Sequence, residues 1–381
     1  MQHSRPALRF TALVLIAAPT FLHAQATSKP PASQPGQVTP TGNLSVRRFS
    51  QSATLLPNGK VLIAGGMERN GKYDASAELY DPRTGKFTAA GNMSSAREGH
   101  AAILLRDGKV LIAGGASGPS GNVATAELYD SATGKFHATG NMAEPRAHAA
   151  AVLLNDGKVL LIGGDGAHED ERLRSAELYD PATGRFTATG SMHVPREMHT
   201  AVLLKDGRVL VMGGSSAGSY PNSRIEASAE IYDPATGRFS MTGSMSVPRH
   251  KLAAALLPDG KVLVVGGSDN RDSRGQYASA ELFDPASGRF TSDGEMSFRR
   301  YKLIQAAVQL PDGRVLIAGG AERPEIYDPA TKSFRPVNGT VGEGRYFSTA
   351  TLLSDGRVLI AGGYGDDAMA GAVPSAWLYQ P

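Results

Sequence analysis

A glycine doublet that recurs seven times, 45 glycines and 23 prolines without one cysteine, and four short apolar runs between successive doublets predict an all-β chain. The predicted architecture is a seven-bladed β-propeller of four-stranded blades. The doublets begin at Gly65, Gly114, Gly163, Gly213, Gly266, Gly319 and Gly362, with spacings of 49, 49, 50, 53, 53 and 43 residues. A period near fifty with four strand-like runs is a propeller blade, not a helical solenoid. The 381 residues would otherwise suggest two or three domains, and the repeats overrule that prior.

Residues 1–24 read as a secretory signal. A basic stretch to Arg9 is followed by an apolar run from Phe10 to Leu22, then by Ala24, and cleavage after Ala24 or Ala26 fits the small-residue rule. Pro19 interrupts the run, which is short for a bilayer span, so no membrane span is expected after cleavage and the expected location is periplasmic or secreted. Residues 25–37, rich in Pro, Ser and Gln, read as a flexible linker, and residues 38–381 as the propeller. Without Arg5 and Arg9 the net charge falls from +3 to about +1, which gives no argument for nucleic acid. The absence of cysteine removes disulfides and thiol chemistry together.

One unit, read from Arg196, runs TAVLL, a KDG turn, RVLVMGG, a variable loop, ASAEIYD, a PATG turn and RFSMTGSM. The first two runs are apolar on both faces, as strands sandwiched between neighbouring blades must be. The Asn-Gly or Asp-Gly pairs beginning at residues 58, 107, 156, 206, 259, 312 and 355 predict two-residue hairpins with positive φ. In DPATG, at Asp180 and Asp233, and its serine variant at Asp284, Pro fixes φ early and Gly admits the left-handed position. The last repeat stops after its third strand at Trp377–Pro381. The missing fourth strand is supplied from the start of the propeller, where residues 38–44 align with Phe186–Met192, so the N-terminal strand is expected to complete blade seven.

The glycine doublet, the downstream Glu-apolar-aromatic-Asp, the aromatic opening the fourth strand and the arginine opening each unit together resemble the Kelch repeat over residues 38–381. The tryptophan usual in that family's fourth strand is here Phe87, Phe136, Phe186, Phe239, Phe290 and Phe334. The resemblance extends to copper-radical oxidases of the galactose oxidase type, whose cofactor needs a tyrosine cross-linked to a cysteine; with no cysteine, it cannot form here. No cofactor and no metal are expected.

The opening arginines (Arg48, Arg97, Arg146, Arg196, Arg249, Arg300, Arg345) and six glutamates (Glu78, Glu127, Glu177, Glu230, Glu281, Glu325) repeat as a set, which marks them as architecture. Trp377 takes the glutamate's place in blade seven and leaves Arg345 without that partner, open to another role. His100, His148, His199 and His250 follow their arginines at unequal offsets, with no carboxylate at a ligand spacing, and read as packing residues. No nucleophile elbow, phosphate loop or motif-placed carboxylate pair is present, so catalytic residues are not assigned.

The connection between the second and third strands emerges on the same face as the link to the next blade, and its length varies: 11, 11, 12, 15, 13, 4 and 13 residues. Variation at one place on a fixed scaffold marks the binding face. The residues after the arginines are Phe49, Glu98, Ala147, Glu197, His250, Tyr301 and Tyr346. Phe49, Tyr301 and Tyr346 fall in neighbouring blades beside the short blade-six loop, and with Arg345 they form the candidate ligand groove, suited to a sugar ring, a peptide or an acidic group. That groove requires both tyrosines to face solvent. The expected function is an exported, monomeric, non-catalytic module that presents this face to a glycan or protein. The alternative is a metal-independent sugar-acting enzyme of the mutarotase kind, using the central pocket, which rests on fold analogy.

Overall fold

Each opening arginine starts a unit that folds as one antiparallel sheet. In blade 1 the strands are Ser52–Leu55, Val61–Ala64, Ser76–Asp81 and Lys86–Asn92, paired in chain order. The computed structural model describes residues 34–381 except 69, 119–120, 169, 220 and 366–370, so the expected signal at 1–24 and most of the expected linker lie outside the described residues. Seven four-stranded sheets follow the same plan, and Pro35–Pro381 is one unit. Among the described residues no helix is long and apolar enough to cross a membrane.

Blade seven is closed by the chain's own beginning. Gln37–Pro40 pairs antiparallel with Ala376–Gln380, with Val38 opposite Tyr379 and Pro40 opposite Trp377. The strand begins at Gln37, one residue inside the expected linker. Pro40 sits on the outermost strand, where its missing N–H removes no ladder bond from a central strand.

The second strand of every blade is fully covered: Val61–Ala64, Val110–Ala113, Val159–Ile162, Val209–Met212, Val262–Val265, Val315–Ile317 and Val358–Ala361 are all buried. Their side chains pack across blade boundaries. Val61, Ile63 and Tyr80 of blade 1, for example, lie against Leu359, Ala361 and Leu378 of blade 7. The core is therefore a set of seven inter-blade seams. The fourth-strand phenylalanines stack on the third-strand aromatic across from them, as in Tyr80–Phe87 at 4.9 Å and Phe283–Phe290 at 4.8 Å, which accounts for the tolerated loss of tryptophan.

The inner hairpins differ from the expected two-residue turn. In blade 1 the connection runs from Leu56 to Lys60, and of Asn58-Gly59 only the glycine takes positive φ, at 79°. The Asn58 side chain accepts a hydrogen bond from the Lys60 N–H at 3.1 Å, which fixes the turn without a second left-handed residue.

The opening arginines of blades 1 to 6 are fully buried, and each is paired with its glutamate at 2.8–3.3 Å. Each also donates to the carbonyl of the first glycine of its own doublet, as Arg196 does to Gly213 at 2.8 Å. Blade 7 departs from this in a way that corrects the expectation of an available arginine. Arg345 is 7% exposed, its guanidinium lies 4.7 Å over the Trp377 ring, and its Nε donates to the Val341 carbonyl at 3.0 Å. The residue that replaced the glutamate became the partner by another interaction.

The doublet also joins blade to blade. The second glycine donates to the backbone carbonyl of the next blade's arginine, as Gly214 does to Arg249 at 2.9 Å. A Cβ on the first glycine, Gly213, would meet that same carbonyl oxygen at 2.5 Å. Gly134, in an outer turn, shares the φ of +69° but has nothing within 4 Å of an added Cβ. Gly134→Ala should then lose only the left-handed strain, about 1–2 kcal/mol, and Gly213→Ala distinctly more. Urea unfolding of the two variants measures the difference, and equal losses would show that the doublet is not held by close approach.

Candidate functional site

Two rings of equivalent residues build the mouth of the central channel on the loop-bearing face. In blades 1 to 5 and 7 the residue after the arginine forms a backbone bridge with the residue after the glycine doublet: Phe49 with Met67, Glu98 with Ala116, Ala147 with Asp165, Glu197 with Ser215, His250 with Ser268 and Tyr346 with Tyr364. These bridges tie six of the variable loops to the channel. The next residue in every unit is left-handed: Ser50, Gly99, His148, Met198, Lys251, Lys302 and Phe347 have φ of 51–59°. Their backbone groups hydrogen-bond around the axis, Gly99 N–H to Ser50, His148 to Gly99, Met198 to His148, Lys251 to Met198, and Ser50 to Phe347. In blade 6 the bond to Lys251 comes from Leu303 instead, and Phe347 donates to Lys302, so the ring closes with one slip.

Below the mouth lies a cavity of about 380 Å³, walled by the innermost strands. Small residues such as Ala53, Ala102, Ala151 and Ala254 leave the space, and His100, His199 and Gln305 add polar groups.

Half-buried charges of alternating sign run around the mouth through blades 2 to 6. His148 lies between Glu98 (3.4 Å from Nε2) and Asp165 (3.0 Å from Nδ1). Arg172 binds Asp165 at 2.8 Å and reaches Glu197 at 3.5 Å. Lys251 binds Asp272 at 2.6 Å, and Lys302 approaches the other oxygen of Asp272 at 3.7 Å. Burial raises the Glu197 carboxyl to about 7, with the Asp165 charge adding to it and His148 and Arg172 opposing. Burial alone would lower His148, but the carboxylates of Glu98 and Asp165 hold it well above its usual value. Burial lowers both Lys251 and Lys302 despite Asp272. Shifts of this kind gathered in a concave site are a mark of function.

The aromatic sector has a different character from the expected groove. Phe49, Tyr346 and Tyr301 do come together, through Tyr364: Phe49–Tyr364 5.0 Å, Tyr364–Tyr346 5.4 Å, Tyr346–Tyr301 5.0 Å. Tyr301, however, is only 4% exposed. The Lys302 ammonium lies 4.7–5.8 Å from the ring centres of Tyr301, Tyr346, Phe347 and Tyr364 and 2.5 Å from the Tyr364 hydroxyl. The rings that a sugar would stack upon hold the chain's own cation.

Although no carboxylate stands at a ligand spacing in the sequence, carboxylates meet one of the histidines in space. Donor atoms of His148, Asp165 and Glu197 lie within 4.8 Å of one another. His148 and Asp165 come from two loops of blade 3 and Glu197 from blade 4, so no local spacing could reveal them. Aligning the first residue after each doublet would have exposed Asp165 and Tyr364, and the second after each arginine His148, Lys251 and Lys302.

His100 belongs to the packing. It is buried, its Nε2 is 2.8 Å from Ser52 Oγ, and burial together with Arg97 lowers it to about 3. Below its unfolded value near 6.5, the unfolded chain takes up a proton that the folded chain refuses, so stability falls as pH drops from 6.5 toward 3. His100→Gln should weaken this dependence, measured as the change in denaturation midpoint between about pH 7.5 and about pH 4.5. An unaltered pH dependence would remove His100 as its source.

Residues 32–214 match the model described as the KLHDC2/KLHL20/DRC7 Kelch-repeats domain, and residues 198–246 match the Kelch motif. A solved structure titled "Novel fungal alcohol oxidase with catalytic diversity among the AA5 family, in complex with copper" is 20% identical, covering 91% of this chain and 76% of its own, with a TM-score of 0.70. That likeness is one of fold. No curated protein matches the chain.

Proposed function

We propose that this chain, which belongs to the Kelch-repeat propeller family, is an exported binding module whose recognition centre is the channel mouth on its loop-bearing face. Kelch propellers generally mediate protein interactions. The observation that carries the reading is the alternating arc of half-buried charges from Glu98 to Lys302, held by a rigid ring above the cavity. Fixed, partly desolvated charges discriminate sharply, because a partner must offer the opposite sign at each point or leave a charge unmet. This favours a protein partner that inserts charged side chains over a glycan, since Lys302 covers the aromatic faces.

A second reading, a small-molecule enzyme of the sugar-acting kind, draws on one observation: carboxylates, an imidazole and a guanidinium converge above a cavity of small-molecule size.

The test is capture by the immobilised chain from an array of cell-envelope proteins and glycans, followed by affinity measurement with the captured ligand. Arg172→Ala should weaken binding about tenfold or more, as truncating one member of a desolvated polar set does. Arg238→Ala, on an exposed outer strand, should leave it unchanged. Capture of glycans only, indifferent to Arg172, would overturn the reading, and turnover of sugar anomers by the chain would favour the second.

A further inference from the structure

Three residues of the recognition arc also form a donor set for a cation. His148, Asp165 and Glu197 present one nitrogen and two carboxylate oxygens within 4.8 Å of one another. The geometry points to a divalent transition-metal site, of the zinc or manganese class, in which His148 Nδ1, Asp165 Oδ2 and a Glu197 oxygen are the ligands.

Three features around the triad favour an ion. The first is the far side of the imidazole: His148 Nε2 is 3.4 Å from Glu98 Oε2. A carboxylate at that nitrogen favours the tautomer whose proton stays on Nε2 and points to Glu98, which leaves Nδ1 as the electron-pair donor, the arrangement in which metal-bound histidines are usually held. The second is the far oxygen of the aspartate. Arg172 binds Asp165 Oδ1 at 2.8 Å, while Oδ2 faces His148 at 3.0 Å, so one oxygen is anchored and the other is directed into the triad.

The third is charge. With His148 acting as a neutral ligand, the carboxylates of Glu98, Asp165 and Glu197 against the single guanidinium of Arg172 leave two negative charges in a half-buried site. Lys251, the next cation along the arc, is engaged by Asp272. A divalent cation balances that excess. One imidazole with two carboxylates suits zinc or manganese better than the softer ions that thiolates select. Three protein ligands also leave coordination positions for water or a ligand atom, the pattern of a working rather than a purely structural ion.

The site needs no partner protein, so its test is separate from that of partner recognition. The full chain, stripped with chelator, is titrated with Zn²⁺ alone by calorimetry, and its thermal midpoint is followed with and without the ion. The expected result is one Zn²⁺ per chain with a raised midpoint, since an ion that binds only the folded state stabilises it by mass action. His148→Ala and Glu197→Gln should each abolish stoichiometric binding while preserving the circular dichroism of the stripped chain. Glu98→Gln should keep the stoichiometry and weaken affinity about 10- to 100-fold, the effect of losing an outer carboxylate. His193→Ala, at an exposed histidine beside Glu230, should change nothing. Absence of stoichiometric Zn²⁺ and Mn²⁺ binding, or binding that survives both His148→Ala and Glu197→Gln, would overturn the site and leave partner recognition standing.

Discussion

The contact on which the ring depends is the one between each glycine doublet and the next blade's arginine carbonyl. The first glycine admits that carbonyl where no Cβ could stand, and in six blades the second glycine supplies the N–H that meets it. In blades 1 to 6 the arginine that owns the carbonyl then turns its guanidinium back to its own blade's doublet and glutamate. Backbone and side chain of one residue thus address two blades at once. This approach brings neighbouring blades together at their inner ends, and apolar packing along the seams fills what it leaves.

Upon that regular frame the chemistry is irregular. The two residue positions after each arginine and the one after each doublet have a fixed backbone and a freely chosen side chain. Around the ring they change from the acidic and histidine-bearing sector of blades 2 to 4 to the lysine and aromatic sector of blades 5 to 7. Because the backbone hydrogen bonds satisfy themselves around the mouth, the side chains are released from structural duty. The same reasoning separates the buried arginines, which repeat because they hold the blade, from Arg172, whose counterparts at the same bridge position are Tyr73, Asn122, Gln276 and Ala372.

The fold was legible because most of its determinants are local and occur seven times, namely the doublet, the Asn-Gly or Asp-Gly turn and the apolar second strand, while the single terminal strand that lacks a partner marks the closure. The candidate site was legible only in part. Phe49, Tyr301 and Tyr346 cluster as their positions implied, but no pattern in one dimension shows that Lys302 lies among them, because that depends on the left-handed turn that directs it. Arg345 shows the converse error. Losing an ionic partner was read as freedom, whereas the tryptophan that replaced the glutamate engages the same guanidinium through its ring face. Asp165 and Glu197 were hidden for a simpler reason, since Asp165 meets His148 across the loops of one blade and Glu197 meets it from the next blade, neither as a sequence neighbour.

The pairing of Gln37–Pro40 with Ala376–Gln380 sets the order of assembly. Within a blade, strands such as Tyr179 and Phe186 find each other across a handful of residues, but Val38 must wait for Tyr379, roughly 340 residues later. With about 0.6 kcal/mol for each doubling of loop length, the closing contact carries about 3 kcal/mol more closure entropy than a local hairpin. Blades can therefore form in succession along the growing chain while the ring stays an open arc, and the first propeller strand to be synthesised is the last to be used. Until that moment the outer edge of Ala376–Gln380 is a bare template, and the chain's own head is the strand kept nearest to fill it.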